Sequence, residues 1–400
     1  MIGAYRQMVA RARARGIKVI GATILPYGGS AYYHPDAQNE ADRAAVNAWI
    51  RAPGNFDGVI DFDAALRDPA APTRLRKEYD NDGLHPSLDG YRAMADAVPL
   101  SLLSDRVRDA GRVAAAPAAP APMIAFTFDD LTAHAPLPEG QSRVGIAEQI
   151  IAALKAGGAP AMGFVNGVQL EREPASAPVL DKWRAAGLTL GNHGWSHANL
   201  DQLSDAQFLD ELAKNEPILK ARMGAADWRW FRYPFLSEGA ADPGRRARIR
   251  KLLAGRGYKV ATVTMDFSDW AYNGAYARCL ARGDEDAILK MEHAWLGAAS
   301  VQADRARAMS HALYGRDIPY VLLLHLGAFD ARMMPRLVAL YREKGYRFVS
   351  GQAAGRDPYY APEIDPALPP QPQGLDGAMA ARGLKAPQAP ALLPLETMCR

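Results

Sequence analysis

Seven short apolar runs alternate with amphipathic helix patterns between residues 123 and 350, and this alternation restricts the fold more than any other feature of the chain. The runs are MIAFTF (Met123–Phe128), AMGFVN (Ala161–Asn166), LTLGN (Leu188–Asn192), WRWFRY (Trp228–Tyr233), KVATVTM (Lys259–Met265), YVLLLH (Tyr320–His325) and YRFVS (Tyr346–Ser350). Between them, IAEQIIAALKAGG ends on glycines suited to a helix C-cap. SDAQFLDELAKNEPILKARM opens with Ser204 and Gln207 at capping-box spacing, and RMMPRLVALYREKG ends on Gly345. Strands joined through helices run parallel, since the helix carries the chain back across the sheet. Seven such units predict an α/β fold, a distorted (β/α)7 barrel over residues 123–350, with a doubly wound open sheet as the alternative.

A chain of 400 residues exceeds one ordinary core, so more than one domain is expected. The Ala/Pro-rich stretch at 111–122 reads as a linker between an N-terminal region, 1–110, and the barrel, 123–356. The first region reads as helix, strand (IKVIGATILP), helix, strand (FDGVIDFD) and helix, a partial flavodoxin-like three-layer fragment. The Pro-rich tail at 357–400 is expected to wrap the surface without regular structure. With 47 Lys+Arg against 44 Asp+Glu, the chain lacks the basic excess of a dedicated nucleic-acid binder, and RARARG (Arg11 to Gly16) reads as a solvated helix face. No apolar run spans a bilayer, and the N-terminus lacks the pattern of a signal peptide, so this chain alone would remain in the cytoplasm. Cys279 and Cys399 are either one disulfide pinning the tail, as in an exported protein, or two unrelated thiols.

Chemistry in a β/α barrel gathers at the C-terminal ends of the strands. Here those positions hold Asp129 and Asp130, Asn166, His193, Arg232, Asp266 with Asp269, and His325. Ordinary loops would place Gly, Ser, Lys or Glu there. NHGWSH puts His193 and His197 four residues apart, one face of a turn if the segment is helical, but Gly194 stands where H-E-x-x-H would have its glutamate. Adjacent Asp129 and Asp130 could form a surface turn; a divalent cation would explain them otherwise, neutralising one and leaving the other as a base. His325 alone would be a core histidine, RYPF a structural turn and Trp270 a pocket wall. The joint pattern favours a site.

In order, TFDD (Thr127–Asp130), HGWSH (His193–His197), RYPF (Arg232–Phe235), DFSDW (Asp266–Trp270) and LLH (Leu323–His325) resemble the five motifs of the polysaccharide deacetylases of carbohydrate esterase family 4. The resemblance implies metal ligands Asp130, His193 and His197, most naturally for zinc, although the donor set also accepts cobalt, iron or nickel. It implies Asp129 as general base, His325 as general acid, and Asp269 and Arg232 orienting them. It also implies the Tyr233 backbone N–H at the oxyanion, with Trp270 and Leu323 at the substrate. One departure is the loop LTAHAPLPEG, where the common form continues TFDD with Gly-Pro, so the resemblance carries the chemistry but not the substrate.

DGLHP followed by PSLDGYRAMADA resembles the last block of the SGNH (GDSL-type) esterases and implies a remnant dyad of Asp82 and His85. The serine block of that family would precede Met1, so the fragment is expected to be truncated, to expose apolar surface and to be only marginally stable. The function expected is a metal-dependent deacetylase removing N- or O-acetyl groups from a carbohydrate. A carbohydrate-binding pseudoenzyme and a serine esterase restored in a longer chain are the alternatives. Acetylated carbohydrate is the expected partner, and neither nucleic acid nor a transmembrane segment is. Export to the periplasm or cell envelope is expected from a polymeric substrate, and oligomeric state is left open.

Overall fold

Residues 2–102, 121–239 and 242–400 are described by the computed structural model, so the 111–122 linker lies outside the described residues except for Ala121 and Pro122. The chain divides into two units, Met1–Pro117 and Ala118–Arg400.

In the first unit, strands β1 (Ile20–Ala22) and β2 (Gly58–Ile60) pair in parallel, with helices over Ile2–Arg13, Ala37–Arg51 and Leu88–Asp96. Asp36 caps the second helix through a capping box with Asn39. Among the described residues, its buried apolar side chains are Val9, Pro26, Ile50, Leu66, Leu75 and Pro86. Polar contacts occupy much of the remaining interior: Arg43 donates to Asp63 at 2.6 Å and to the Ile24 carbonyl at 3.0 Å, and Asn47 bonds the same segment. Met8, Tyr32, Tyr33, Leu88 and Leu100 are exposed. So small an apolar core offsets little chain entropy.

The second unit is built on seven parallel strands: β3 (Met123–Leu131), β4 (Ala161–Val165), β5 (Thr189–Asn192), β6 (Trp230–Phe231), β7 (Lys259–Val260), β8 (Tyr320–His325) and β9 (Arg347–Phe348). Their order is β7-β6-β5-β4-β3-β8. Ile124 pairs with both Tyr320 of β8 and Phe348 of β9, so β9 lies on the β4 edge of β3, below β4 itself. The expected seven-stranded α/β architecture is present, and the sheet curls. The chain leaving β7 bridges β8 at Met265–Leu322, with Leu323 N donating to Met265 O at 2.9 Å, so one segment pairs β6 at its start and β8 at its end.

Alternation along the strands separates two environments. Ile124, Phe126 and Phe128 of β3, with Leu322 and Leu324 of β8, pack in the large apolar core. Thr127, Asp129 and His325 take the alternate positions. Ser204 caps the helix Asp205–Met223 in the capping box expected with Gln207.

Two features differ from the sequence reading. A helix of 30 residues, Glu285–Tyr314, covers the barrel and buries Ile288, Met291, Trp295, Met309 and Leu313 interspersed with Ala287, Ala298, Ala299, Ala303 and Ala306. Alanine gives a weak apolar period, which hid it. The tail is not irregular throughout: Gly374–Ala381 is helical, because Leu375, Ala378 and Met379 form an apolar stripe that the barrel buries. The Cys279–Cys399 disulfide ties its end to the helix Trp270–Arg282, and Arg278 donates to the Leu395 and Met398 carbonyls.

The contrast between the two cores sets the order of unfolding. Brief native-state trypsin digestion is expected to cut within residues 2–102 before it cuts between β3 and β8. Cleavage in the opposite order would show that the first unit is the more stable one.

Candidate active site

The sequence-selected residues of the second unit converge where β3, β5, β6 and β8 end. Asp129 is buried, and both of its oxygens accept from Arg232 Nη1, at 3.0 and 3.2 Å. Arg232 also donates from Nη2 to Thr127 Oγ1 at 3.1 Å and from Nε to the Ala261 carbonyl at 2.6 Å. It thus joins β3, β6 and the segment after β7. Burial lowers its guanidinium below the ordinary value while Asp129 pulls it back up.

Asp130 follows with φ 60°, a left-handed residue that turns its side chain into the site beside Asp129. Its Oδ1 lies 3.5 Å from His193 Nε2 and 3.2 Å from His197 Nε2, and the three ligand atoms fall within 4.8 Å of one another. Oδ1 is buried without a hydrogen-bond partner among the described residues. Burial opposes its charge, but a hydrogen bond from His134 and the charges of His325, His193 and His197 hold Asp130 far below the usual carboxylate range.

His193 and His197 do not share a helix face, for their segment is not helical. Gly194 at φ 72° and His197 at φ 60° bend the chain so that the two rings meet at 4.9 Å. A side chain at 194 would incur the left-handed penalty, about 1–2 kcal/mol, and its Cβ would stand 3.3 Å from Glu211 Oε2. The turn is held from behind by buried amides. Asn166 Nδ2 donates to the His193 and Gly194 carbonyls at 2.8 and 3.0 Å, and Asn192 Oδ1 accepts from Gly194 N at 2.9 Å. Asn215 Nδ2 reaches Asn192 Oδ1 at 3.0 Å and Gly194 O at 3.1 Å. His193 Nδ1 contacts the Arg232 carbonyl at 2.8 Å, which makes Nδ1 the donor and leaves Nε2 as the lone pair in the neutral ring. Burial lowers His197 to about 4 against the pull of Asp130, so its imidazole is neutral at ordinary pH.

Across the mouth, His325 ends β8. Asp269 contacts its Nδ1 at 3.0 Å and accepts from its backbone N at 2.7 Å. Burial would lower His325, but the charge and hydrogen bond of Asp269, joined by Asp130 and Asp129, raise it to about 10. Asp269 has no exposure, and despite that burial His325 keeps it below the usual carboxylate value. Beneath it, burial and the charge of Asp269 raise Asp330 well above the carboxylate range, and Asn273 donates to its Oδ2 at 2.7 Å. Asp266 accepts from Ser268 N at 2.7 Å, and burial raises it.

The remaining selected residues fall at the margins. Tyr233 turns its ring into the core against Phe231 at 4.9 Å, so only its backbone is available to the site. Leu323 lies within β8, and Trp270 is half exposed beside a groove of about 450 Å³ that it lines with Leu392 to Thr397. Asp82 and His85 belong to the first unit and form an exposed dyad, Nδ1 to Oδ2 at 2.9 Å, with no serine hydroxyl bonded to His85 among the described residues. Sequence reading missed Asn192, Asn215, Asp330 and His134. Asn192 stood inside NHGWSH and His134 four residues after Asp130, while Asn215 and Asp330 sit on helices with no local signal.

Comparison with known proteins follows the same division. The chain matches the polysaccharide deacetylase family over residues 116–261 and the GDSL-like lipase/acylhydrolase family over residues 2–93. Asp266, Asp269 and His325 lie beyond the first match. Among solved structures, a family 4 carbohydrate esterase from Streptomyces lividans in complex with acetate is 21% identical, with a TM-score of 0.39 over 58% of this chain and 95% of that one. The polysaccharide deacetylase Bc1974 from Bacillus cereus is 19% identical, with a TM-score of 0.39 over 57% of this chain and 91% of that one. A mutant of BA3943, a CE4 family pseudoenzyme with restored enzymatic activity, is 16% identical, with a TM-score of 0.38 over 57% of this chain, and the chain spans 65% of that protein's length. The chain thus carries a polysaccharide deacetylase domain, matched at 116–261, and a GDSL-like domain, matched at 2–93.

Proposed function

We propose that the strand-end cluster is the active site of a metal-dependent deacetylase that hydrolyses N- or O-acetyl groups on a carbohydrate. One observation carries the metal: Asp130 Oδ1, buried and without a hydrogen-bond partner, faces His193 Nε2 and His197 Nε2. With Nδ1 of His193 donating to the Arg232 carbonyl, Nε2 of its neutral ring presents a lone pair toward the carboxylate oxygen, and converging lone pairs repel unless a cation lies between them. The residues therefore fit a divalent ion held by one carboxylate and two imidazoles, a donor set that suits zinc and also accepts cobalt, iron or nickel. When bound, such an ion supplies Lewis acidity, making water more acidic and polarising a carbonyl.

The chain's own residues supply the proton transfers. Asp129 accepts a proton from the attacking water, whose oxygen bonds to the acetyl carbon. Its Oδ2 lies 3.6 Å from His193 Nε2, beside the ligands, and Arg232 fixes its orientation. The backbone N–H of Tyr233 stabilises the developing oxyanion. As the carbon–nitrogen or carbon–oxygen bond breaks, His325 gives its Nε2 proton to the departing atom, leaving acetate and a free amine or hydroxyl. An amide anion is a very poor leaving group, so an acid that remains protonated at neutral pH is required, and the ion pair with Asp269 keeps His325 in that form.

The acetylated glycan is recognised in the space around the strand ends. Beside that cluster, and lined by none of Asp129, Asp130, His193, His197 and His325, lies a cavity of about 410 Å³ that adjoins Arg232 and Asp266 and is walled by Ser268, Gln302, Gln373 and Leu392, the last two from the tail. Export of the protein fits the Cys279–Cys399 disulfide, a bond that persists in oxidising compartments. Among the described residues, no helix is long and apolar enough to cross a membrane.

Variants separate the roles. Asp130→Ala and His193→Ala are expected to lose bound metal, by elemental analysis, together with acetate release from acetylated oligosaccharides. Asp129→Asn should keep the metal and lose about 10²–10⁴-fold in kcat; normal turnover would exclude Asp129 as the base. Removing the ion with a chelator should abolish acetate release, and zinc or cobalt should restore it. A metal-loaded wild type that released no acetate from any acetylated glycan would leave a carbohydrate-binding protein instead.

The pH dependence has a fixed sign. A group raised to about 10 stays protonated through neutrality and loses its proton only as pH climbs through that value, so the alkaline limb of kcat should lie well above the ordinary histidine range. Asp269→Asn removes the charge that raises His325, and the limb should move at least about one unit toward lower pH. An unmoved limb would exclude His325 as the titrating acid.

A further inference from the structure

His134 has no part in the chemistry above, yet it sits at its centre. Its Nδ1 is 2.9 Å from Asp130 Oδ2, and its ring lies against that of His325 with centroids 4.5 Å apart. It belongs to the LTAHAPLPEG loop, where the resembled family has Gly-Pro, a pair without any side-chain donor.

We infer that His134 is a positioning residue for the cation site, fixing Asp130 through Oδ2 so that Oδ1 faces His193 and His197. This rests on the reading of Asp130 as a metal ligand. A carboxylate bound through one oxygen can rotate about its terminal torsion and exchange its two oxygens, or drift to chelate with both. A donor fixed on the second oxygen stops the rotation and holds the site as a one-oxygen ligand. Water could donate there too, but it would not set a direction.

The loop is built to hold that donor still. Arg143 Nη1 donates to the His134 carbonyl at 2.8 Å, and its Nη2 to the Ala135 carbonyl at 2.9 Å. Arg143 is itself fixed by two contacts to Glu173, both at 2.9 Å, and by its place in the first turn of the helix Arg143–Ala156, which Ser142 caps. The backbone of His134 is therefore clamped on one side while His325 limits its ring on the other. With Nδ1 as the donor, Nε2 carries the lone pair in the neutral ring; that atom is buried without a hydrogen-bond partner among the described residues, so nothing competes to reorient the ring.

The test is cobalt titration of the metal-free full chain, read by visible absorption and by competition with a chelator. His134→Ala should bind cobalt about 10–100-fold more weakly, the range seen when such partners are removed, with an altered absorption band. His134→Asn, which restores a donor near the same place, should bind within about threefold of wild type. His134→Phe keeps the ring against His325 and deletes the donor, so it should follow alanine and not asparagine. If the alanine variant does not fold, the Asn and Phe pair decides. Equal affinity and spectrum in Phe, Asn and wild type, with Asp130→Ala unable to bind, would overturn the inference and leave the ligand assignment standing. Wild-type affinity in Asp130→Ala would overturn both.

Discussion

Asp129 and Asp130 are neighbours at the buried end of β3, and the second unit is arranged around the need to compensate them. Taking a carboxylate out of water costs several kcal/mol unless positive charge and hydrogen bonds replace the solvent. Arg232 answers Asp129, and His134 answers one oxygen of Asp130. The first of these pairs dictates the shape of the sheet. β6 lies three strand steps from β3, so in a flat sheet their backbones would stand about 14 Å apart. Arg232 nevertheless bonds Asp129 at 3.0 Å, because the curled sheet turns both side chains into one interior. The segment after β7 completes this curl by leaving β6 for β8, and its Ala261 carbonyl takes the Arg232 Nε. Curvature and charge compensation are here one constraint.

The strand-end histidines and aspartates were legible in the sequence because strand alternation is local: once YVLLLH is read as a strand, His325 must lie at its end. What was not legible is the scaffolding that comes from elsewhere in the chain. Asn215 lies in the middle of an amphipathic helix, and nothing nearby distinguishes it from a surface residue. Only the fold brings its amide to the Gly194 carbonyl. Asp330 likewise follows the apolar strand β8 by a few residues and would pass for an N-terminal helix acid. The shortness of β6 and β7, two residues each, has the same origin. Trp228–Tyr233 and Lys259–Met265 read as full strands, but their final residues leave the ladder to bind across the barrel. The helix Glu285–Tyr314 was hidden for a different reason, since alanines between its larger buried residues weaken the apolar period.

The two units show what a site needs in order to be more than a motif. Asp82 and His85 make as good a hydrogen bond as Asp269 and His325, 2.9 against 3.0 Å. The first pair is largely in water, where solvent screens its charges. The second is buried, and there Asp269, joined by Asp130 and Asp129, outweighs the burial that would lower the imidazole and lifts it to about 10. Burial converts a local contact into control of a proton, and burial is a property of the second unit's large core.

Gly194 shows how the spacing of NHGWSH should be read. In H-E-x-x-H the helix gives both histidines one face and the base comes from the residue between them. Here the segment is a bend, so the residue after His193 is constrained by backbone, with φ at 72° and Glu211 close behind. A glutamate at 194 would have to accept that left-handed conformation and displace the Glu211 carboxylate, which accepts from Ser196 N at 2.6 Å. The base cannot come from this segment. On the proposed roles, the base arrives from a separate strand end next to a ligand, and β3 supplies Asp129 and Asp130 together, since Asp130 turns out of the strand alternation at φ 60° and comes to lie beside Asp129. In the proposed mechanism, a backbone irregularity at the end of β3 thus takes the place of the regular helix in joining base to ligand.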